Sequence, residues 1–299
     1  MQQAVIQTTG LTKRYGSTEA LSQLDLAIPA GSIFGYLGPN GSGKSTTIRM
    51  LMGLIRPSAG TATVLGHDVV RERHLVHRLV GYLPGDFRGY RQLSAGQYLE
   101  FVSNLRGGVD PRVVDTLVQR FGLDLQRRIG TMSHGNQQKV GIVQACMHEP
   151  DLLILDEPTQ GLDPLMQREF LDLLREFRDA GRTVFLSSHV LSEVEAVADE
   201  VGIIRHGRLV MTSGVAELKR RARRRVALTF VEGVDVPVAA LTAAAGVVEL
   251  VAVDGGAELV VEGSMEELLR VAAPLGVERV ISNDVDLEDL FMQYYEDKA

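Results

Sequence analysis

The sequence predicts an α/β layer fold followed by a small α+β unit, and three observations carry that expectation. Over residues 1–214, short β-rich runs alternate with amphipathic helical patterns, as in a largely parallel sheet covered by helices. The strand-like runs SIFGYLG (32–38), LLILD (152–156) and TVFLSS (183–188) each end where polar residues cluster. Ligands of open α/β sheets bind beyond the carboxyl ends of the strands, so these ends are where chemistry is expected. After the basic run KRRARRR (219–225) the pattern changes character.

Taken in chain order, the first strand end leads through GPNGSGKST (38–46) into the helical TTIRMLMGL (46–54). RERHLVHR (71–78) reads as a solvated helix, and its His74 and His77 lack a carboxylate or thiolate to complete a metal site. SAGQYLEFVSNLRG (94–107) and DPRVVDTLVQRFGL (110–123) read as helices capped by Ser94 and Asp110 with no strand between them, which marks a helical subdomain at about 90–148. Beyond 225 the runs VALTFV, PVAALTAAA, VVELVAV, ELVV, MEELLRVAAPL and VERVIS read strand, helix, strand, strand, helix, strand. That is the order of a ferredoxin-like unit. Ser264 with Glu267 forms a capping-box pattern for its second helix. LEDLFMQYY (287–295) reads as a closing helix with Leu287, Leu290, Phe291 and Tyr294 on one face. The boundaries expected are 1–214 and 215–299.

With 299 residues, 45% hydrophobic and 23% charged, the composition is that of a globular protein. A formal charge of −7 disfavours a general nucleic-acid binder. The Arg-rich run lacks interleaved aromatic residues and reads as a solvated linker helix. Cys146, the sole cysteine, sits in apolar GIVQACM and reads as a buried residue of a reducing compartment. The first residues resemble no signal peptide and no run reaches the roughly 18 apolar residues of a membrane span, so membrane work would need spans from a partner.

Three segments carry chemistry. GPNGSGKST fits the phosphate-loop spacing G-x-x-x-x-G-K-[ST] between a strand and a helix. Gly38, Pro39, Asn40, Gly41, Ser42 and Gly43 form the loop, with Gly41 and Gly43 letting backbone N–H groups converge on phosphates. Lys44 reaches the outer phosphates, the Ser45 hydroxyl suits Mg²⁺, and Thr46 completes the motif. In LLILDEPT (152–159), Asp156 suits an outer-sphere contact to Mg²⁺ and Glu157 a general base; an acidic turn is the plain alternative. MSHGNQQKVG (132–141) places Ser133 and Gly135 at a helix start, a second anion site.

With these motifs the chain resembles the ATP-binding cassette (ABC) superfamily of P-loop NTPases over about residues 4–214. The resemblance implies ATP and Mg²⁺ as ligands and a head-to-tail dimer, in which the signature segment of one cassette meets the nucleotide of the other. MSHGN stands where the family usually has LSGGQ, so Ser133 and Gly135 would bind the partner's γ-phosphate. It further implies that Tyr15 stacks on adenine, that Asp163 in QGLD couples the two sites, and that His189 contacts the γ-phosphate. After VGYLP the family places a glutamine; here Gly85 stands there and Asp86 follows. The second unit and its ending are similar to drug- and antibiotic-exporter ATPases of the daunorubicin-resistance type, which serve separate permeases at the cytoplasmic face of the bacterial membrane. Two rivals remain open: a soluble ABC ATPase acting on a macromolecular complex, and a slow-hydrolysing regulatory module.

Overall fold

The computed structural model describes residues 4–221, 223–231 and 233–283. Two compact units result, the first ending at Thr212 and the second beginning at Ser213.

The first unit holds two sheets. In one, β1 (Ala4–Tyr15) pairs antiparallel with β2 (Thr18–Pro29) and with β4 (Ala59–Val64), which in turn pairs with the short β5 (His67–Asp68). The sequence pattern did not reveal this sheet. Register shifts between Ala4 and Ile6, Thr8 and Leu11, and Lys13 and Arg14 interrupt the alternation that would mark β1. The other sheet has six strands, in the order β10 (Arg208–Gly214), β9 (Glu200–Arg205), β3 (Ile33–Leu37), β8 (Thr183–Ser188), β7 (Leu152–Asp156), β6 (Val80–Leu83). Parallel pairing joins β9 to β3, β3 to β8, β8 to β7 and β7 to β6. Because β3, β7 and β8 are buried along their whole length, they read as continuous apolar runs.

One core joins the sheets. Ile6, Leu11, Leu24 and Ile28 of the antiparallel sheet pack with Phe34, Tyr36, Ile154 and Phe185 of the parallel one and with Ile48 and Leu51 of α1 (Lys44–Leu51). Phe34 and Phe185 stack with centroids 5.9 Å apart. Around the sheets lie α2 (Arg73–Leu79), α3 (Ala95–Leu105), α4 (Pro111–Arg120), α5 (His134–Cys146), α6 (Pro164–Asp179) and α7 (Leu191–Val197). Ser94 closes a reciprocal capping box with Gln97, and Asp110 caps α4, as expected from sequence. Cys146 is buried, and burial pushes its thiol up to about 12.

The second unit contains α8 (Val215–Arg221), β11 (Arg223–Phe230), α9 (Val238–Thr242), β12 (Val247–Val253), β13 (Gly256–Glu262), α10 (Glu266–Ala272) and β14 (Val277–Asn283). Its antiparallel sheet runs β12-β13-β11-β14, the strand order of a ferredoxin-like unit. Leu241, Leu268 and Ala272 of its helices cover Val226, Leu228, Phe230, Leu259 and Val261. Two expectations need correction. The basic run is not one linker helix: Arg224 and Arg225 belong to β11, paired to β13 on one side, where the β-branched and aromatic run that follows extends the strand upstream. Ser264 forms no capping box with Glu267. Its Oγ accepts from the Glu266 N–H at 3.1 Å, while both Glu266 and Glu267 turn to the Arg270 guanidinium at 2.7 and 2.5 Å. The closing helix read at 287–295 lies outside the described residues. Among the described residues no helix is long and apolar enough to cross a membrane.

Candidate active site

From Leu37 at the end of β3 the chain loops through residues 38–43 and enters α1 at Lys44. Gly43 stands at the N-cap with φ 113°, and a Cβ there would lie 2.8 Å from the Ala20 carbonyl oxygen, so only glycine fits. The loop is braced on both flanks: Gly38 N–H donates to Ser188 O at 3.3 Å, and Gly207 N–H donates to Ser42 O at 2.9 Å. Pro39, Asn40 and Gly41 are exposed, and Ser45 and Thr46 are half-buried in the first turn of α1. The N–H groups of such a first turn have no intrahelical acceptor and face whatever the loop encloses. Lys44 is 5% exposed; its ammonium donates to Gly38 O at 2.5 Å and Pro39 O at 3.2 Å.

The acids arrive from the neighbouring strands. Asp156, the last residue of β7, is buried and accepts a 2.7 Å hydrogen bond from Ser187 Oγ. Glu157 follows in the left-handed region at φ 49°. Its N–H donates to Ser187 O at 3.1 Å and to Ser187 Oγ at 3.2 Å. Its carboxylate lies between two partners: Oε2 is 2.7 Å from His189 Nδ1, and Oε1 is 3.2 Å from Lys44 Nζ. No aligned hydrogen bond reaches Oε1, so Lys44 attracts it by charge alone. The strand ends of β3, β7 and β8 thus gather Lys44, Asp156, Glu157 and His189. Ser42 Oγ is also buried without a hydrogen-bond partner, an orphan that a polyanion at the loop would satisfy.

The signature residues form a second group. Ser133 caps α5 by accepting from Asn136 N–H at 3.4 Å, and both it and His134 are exposed. A Cβ on Gly135 would collide with the Gly161 carbonyl, so the start of α5 meets the turn 160–163 backbone to backbone. Deeper on the same helix, the fully buried Gln138 donates to Pro158 O at 3.0 Å, tying α5 to the LLILDEPT segment. Asp163 caps α6, accepting from Leu165 and Met166 N–H at 3.1 and 3.0 Å. Tyr15 stands at the end of β1, 49% exposed, with Lys13 Nζ 4.9 Å from its ring centre.

Gly85 faces the acid site from the next loop. A Cβ there would lie 3.5 Å from the Asp156 carboxylate. Asp86 turns away, exposed and paired with Arg88 at 2.7 Å, and the Arg88 guanidinium holds its carboxyl below the ordinary range, with His134 contributing in the same direction. No group of three potential metal ligands involving His74 or His77 occurs among the described residues.

A family model described as ABC transporter matches residues 21–160. Over 223 residues the chain is 39% identical to the bacitracin transport ATP-binding protein BcrA of Enterococcus faecalis, an alignment covering 74% of this chain and 72% of that protein. The chain belongs to the ABC transporter family of ATP-binding subunits. This ABC subunit is also 41% identical over 220 residues to the daunorubicin/doxorubicin resistance ATP-binding protein DrrA of Streptomyces peucetius, covering 72% of this chain and 66% of that one. A solved ATP-binding subunit of an ABC transporter superposes with a TM-score of 0.68 at 28% identity, covering 72% of this chain and 92% of the other. ATP is the ligand of the family and its members hydrolyse it. The position of Ser187 was not legible in TVFLSS; its signal there is two hydroxyls closing the apolar run VFL (184–186).

Proposed function

We propose that this ABC subunit powers export of drug- or antibiotic-like cargo through a separate permease at the cytoplasmic face of a bacterial membrane, as one half of a head-to-tail dimer. The named activities of BcrA and DrrA support the cargo class. An exposed apolar face on the helical segment, Tyr90, Phe101 and Leu105 at 57%, 40% and 71% exposure, supports docking of a membrane partner there.

In this reading the loop 38–43 and Lys44 cradle the phosphates, and Tyr15 stacks on adenine. Ser45 would ligate Mg²⁺ directly and Asp156 would hold it in the outer sphere, through a bound water; a hydroxyl and a carboxylate are hard oxygen groups that suit it. When bound, Mg²⁺ neutralises charge on the outer phosphates. Glu157 takes the proton of the attacking water, and His189 contacts the γ-phosphate. Ser133 and Gly135 serve the nucleotide of the partner cassette, and Asp163 couples the two sites. The observation that carries the reading is Glu157, set between Lys44 and His189 beside the phosphate loop. On nucleotide binding, Lys44 exchanges Glu157 for phosphate oxygens, and the carboxylate becomes available as a base.

Glu157→Gln tests it. The amide keeps the shape and loses the basic oxygen, so kcat should fall about 10³-fold, within the range of general-base catalysis. ATP binding should persist, and an ATP-bound dimer should accumulate in size-exclusion chromatography. Near wild-type turnover at saturating MgATP would reject Glu157 as the base.

A further inference from the structure

We propose that Ser187 is a positioning residue for the metal–nucleotide complex, fixing Asp156 and Glu157 together through one hydroxyl. The inference rests on the assignment of Asp156 to the metal. Ser187 lies on β8 directly across from Asp156 in the parallel pairing with β7, and it is fully buried. A hydroxyl has one proton to donate and lone pairs to accept with. Here the hydroxyl proton goes to Asp156 Oδ1 at 2.7 Å, and Ser187 Oγ itself accepts from the Glu157 N–H at 3.2 Å. Both interactions are needed for the site geometry. A non-glycine residue in the left-handed region is strained and persists only where its surroundings over-determine it. Two bonds from the Glu157 N–H, to the carbonyl and the hydroxyl of Ser187, supply that constraint.

On the other flank Tyr82 of β6 lies near enough to feel the Asp156 charge, but no hydrogen bond from it to the carboxylate is seen among the described residues. Gly85 approaches its carboxylate and brings no side chain to it. The rotamer of the buried acid is therefore set from the β8 side, and Ser187 orients the carboxylate that would hold the metal's outer sphere, as supporting hydrogen bonds orient the groups around a metal.

The test compares Ser187→Thr with Ser187→Val, which share a shape and differ in the hydroxyl. Mn²⁺ in place of Mg²⁺, titrated by electron paramagnetic resonance into the protein loaded with a non-hydrolysable ATP analogue, reports metal affinity without turnover. Val should weaken Mn²⁺ binding about tenfold, the scale of lost second-layer partners, whereas Thr should stay within about threefold of wild type. Metal-free nucleotide binding should be unchanged in both, and the Val defect should appear in kcat more than in KM. Equal Mn²⁺ affinities for Thr and Val overturn the proposal. Should Val fail to fold, Ser187→Ala, which adds no volume, gives the same reading against wild type. Asp156→Asn separates the underlying assignment: wild-type Mn²⁺ affinity in that variant sinks the role of Asp156, while its loss alongside equal Thr and Val values sinks Ser187 alone.

Discussion

Both units bury strands against helices, yet they treat polar groups differently. In the first, Ser42, Lys44, Gln138, Asp156, Ser187 and Ser188 are buried among the apolar strands, and all but Ser42 are held by hydrogen bonds or charge. In the second, the buried residues among those described are Val, Leu, Phe and Ala, with Gly256. Burying a polar group costs free energy unless it is paired, so a unit that carries many of them does so for a reason beyond stability. The difference matches the clustering of the candidate site residues in the first unit, while the second has a plain hydrophobic core among its described residues.

Breaking that comparison begins with Lys44. Lys44→Ala removes the charge that faces the phosphates and should weaken ATP binding about 100-fold in an equilibrium titration, on the scale of lost charge-assisted hydrogen bonds. Ser133→Asp should act between chains. Aspartate keeps the N-cap of α5, so dilute monomer should bind ATP within about twofold of wild type. The new carboxylate would face the γ-phosphate of the partner, and ATP-driven dimerisation in the Glu157→Gln background should weaken at least about tenfold. Loss of ATP affinity in the monomer would show that the segment serves its own nucleotide.

A third substitution addresses the second unit. Leu259 is 1% exposed, and Leu259→Ala should destabilise that unit by about 3 kcal/mol in chemical denaturation while leaving ATP affinity unchanged. A parallel fall in ATP affinity would contradict the division of labour. The smallest effect concerns His148, whose imidazole burial, aided by Arg106, holds down to about 4 from an ordinary 6.5. Below pH 6.5 the unfolded chain takes up a proton that the folded one refuses, so stability falls as pH drops from about 6.5 towards 4. His148→Gln should flatten that part of the stability profile.

Motifs whose chemistry depends on neighbours in the chain were legible in the sequence. GPNGSGKST and LLILDEPT announce a loop and an acid because strand, turn and helix follow one another within a few residues. The six-element order of the second unit was readable for the same reason, since each element there is short and bounded by turns. What stayed hidden depends on pairing at long range. The antiparallel sheet joins β1 to β4 across more than forty residues and through register shifts, so no local period marks it. Ser187 gains its part only when β8 lies beside β7. Asp86 is next to Gly85 in sequence but points to Arg88, a choice of rotamer that spacing does not encode.

The contact between Gly135 and Gly161 has a mechanical consequence. Most elements in a protein meet through side chains, whose rotamers act as a cushion and absorb small displacements. Here a Cβ on Gly135 would run into the Gly161 carbonyl, main chain against main chain, while a Cβ on Gly161 would meet the exposed His134 side chain. Such a joint has no backlash. A shift of the Gly161 carbonyl is passed directly to the tip of α5, and a side chain in place of Gly135 would jam the joint rather than loosen it.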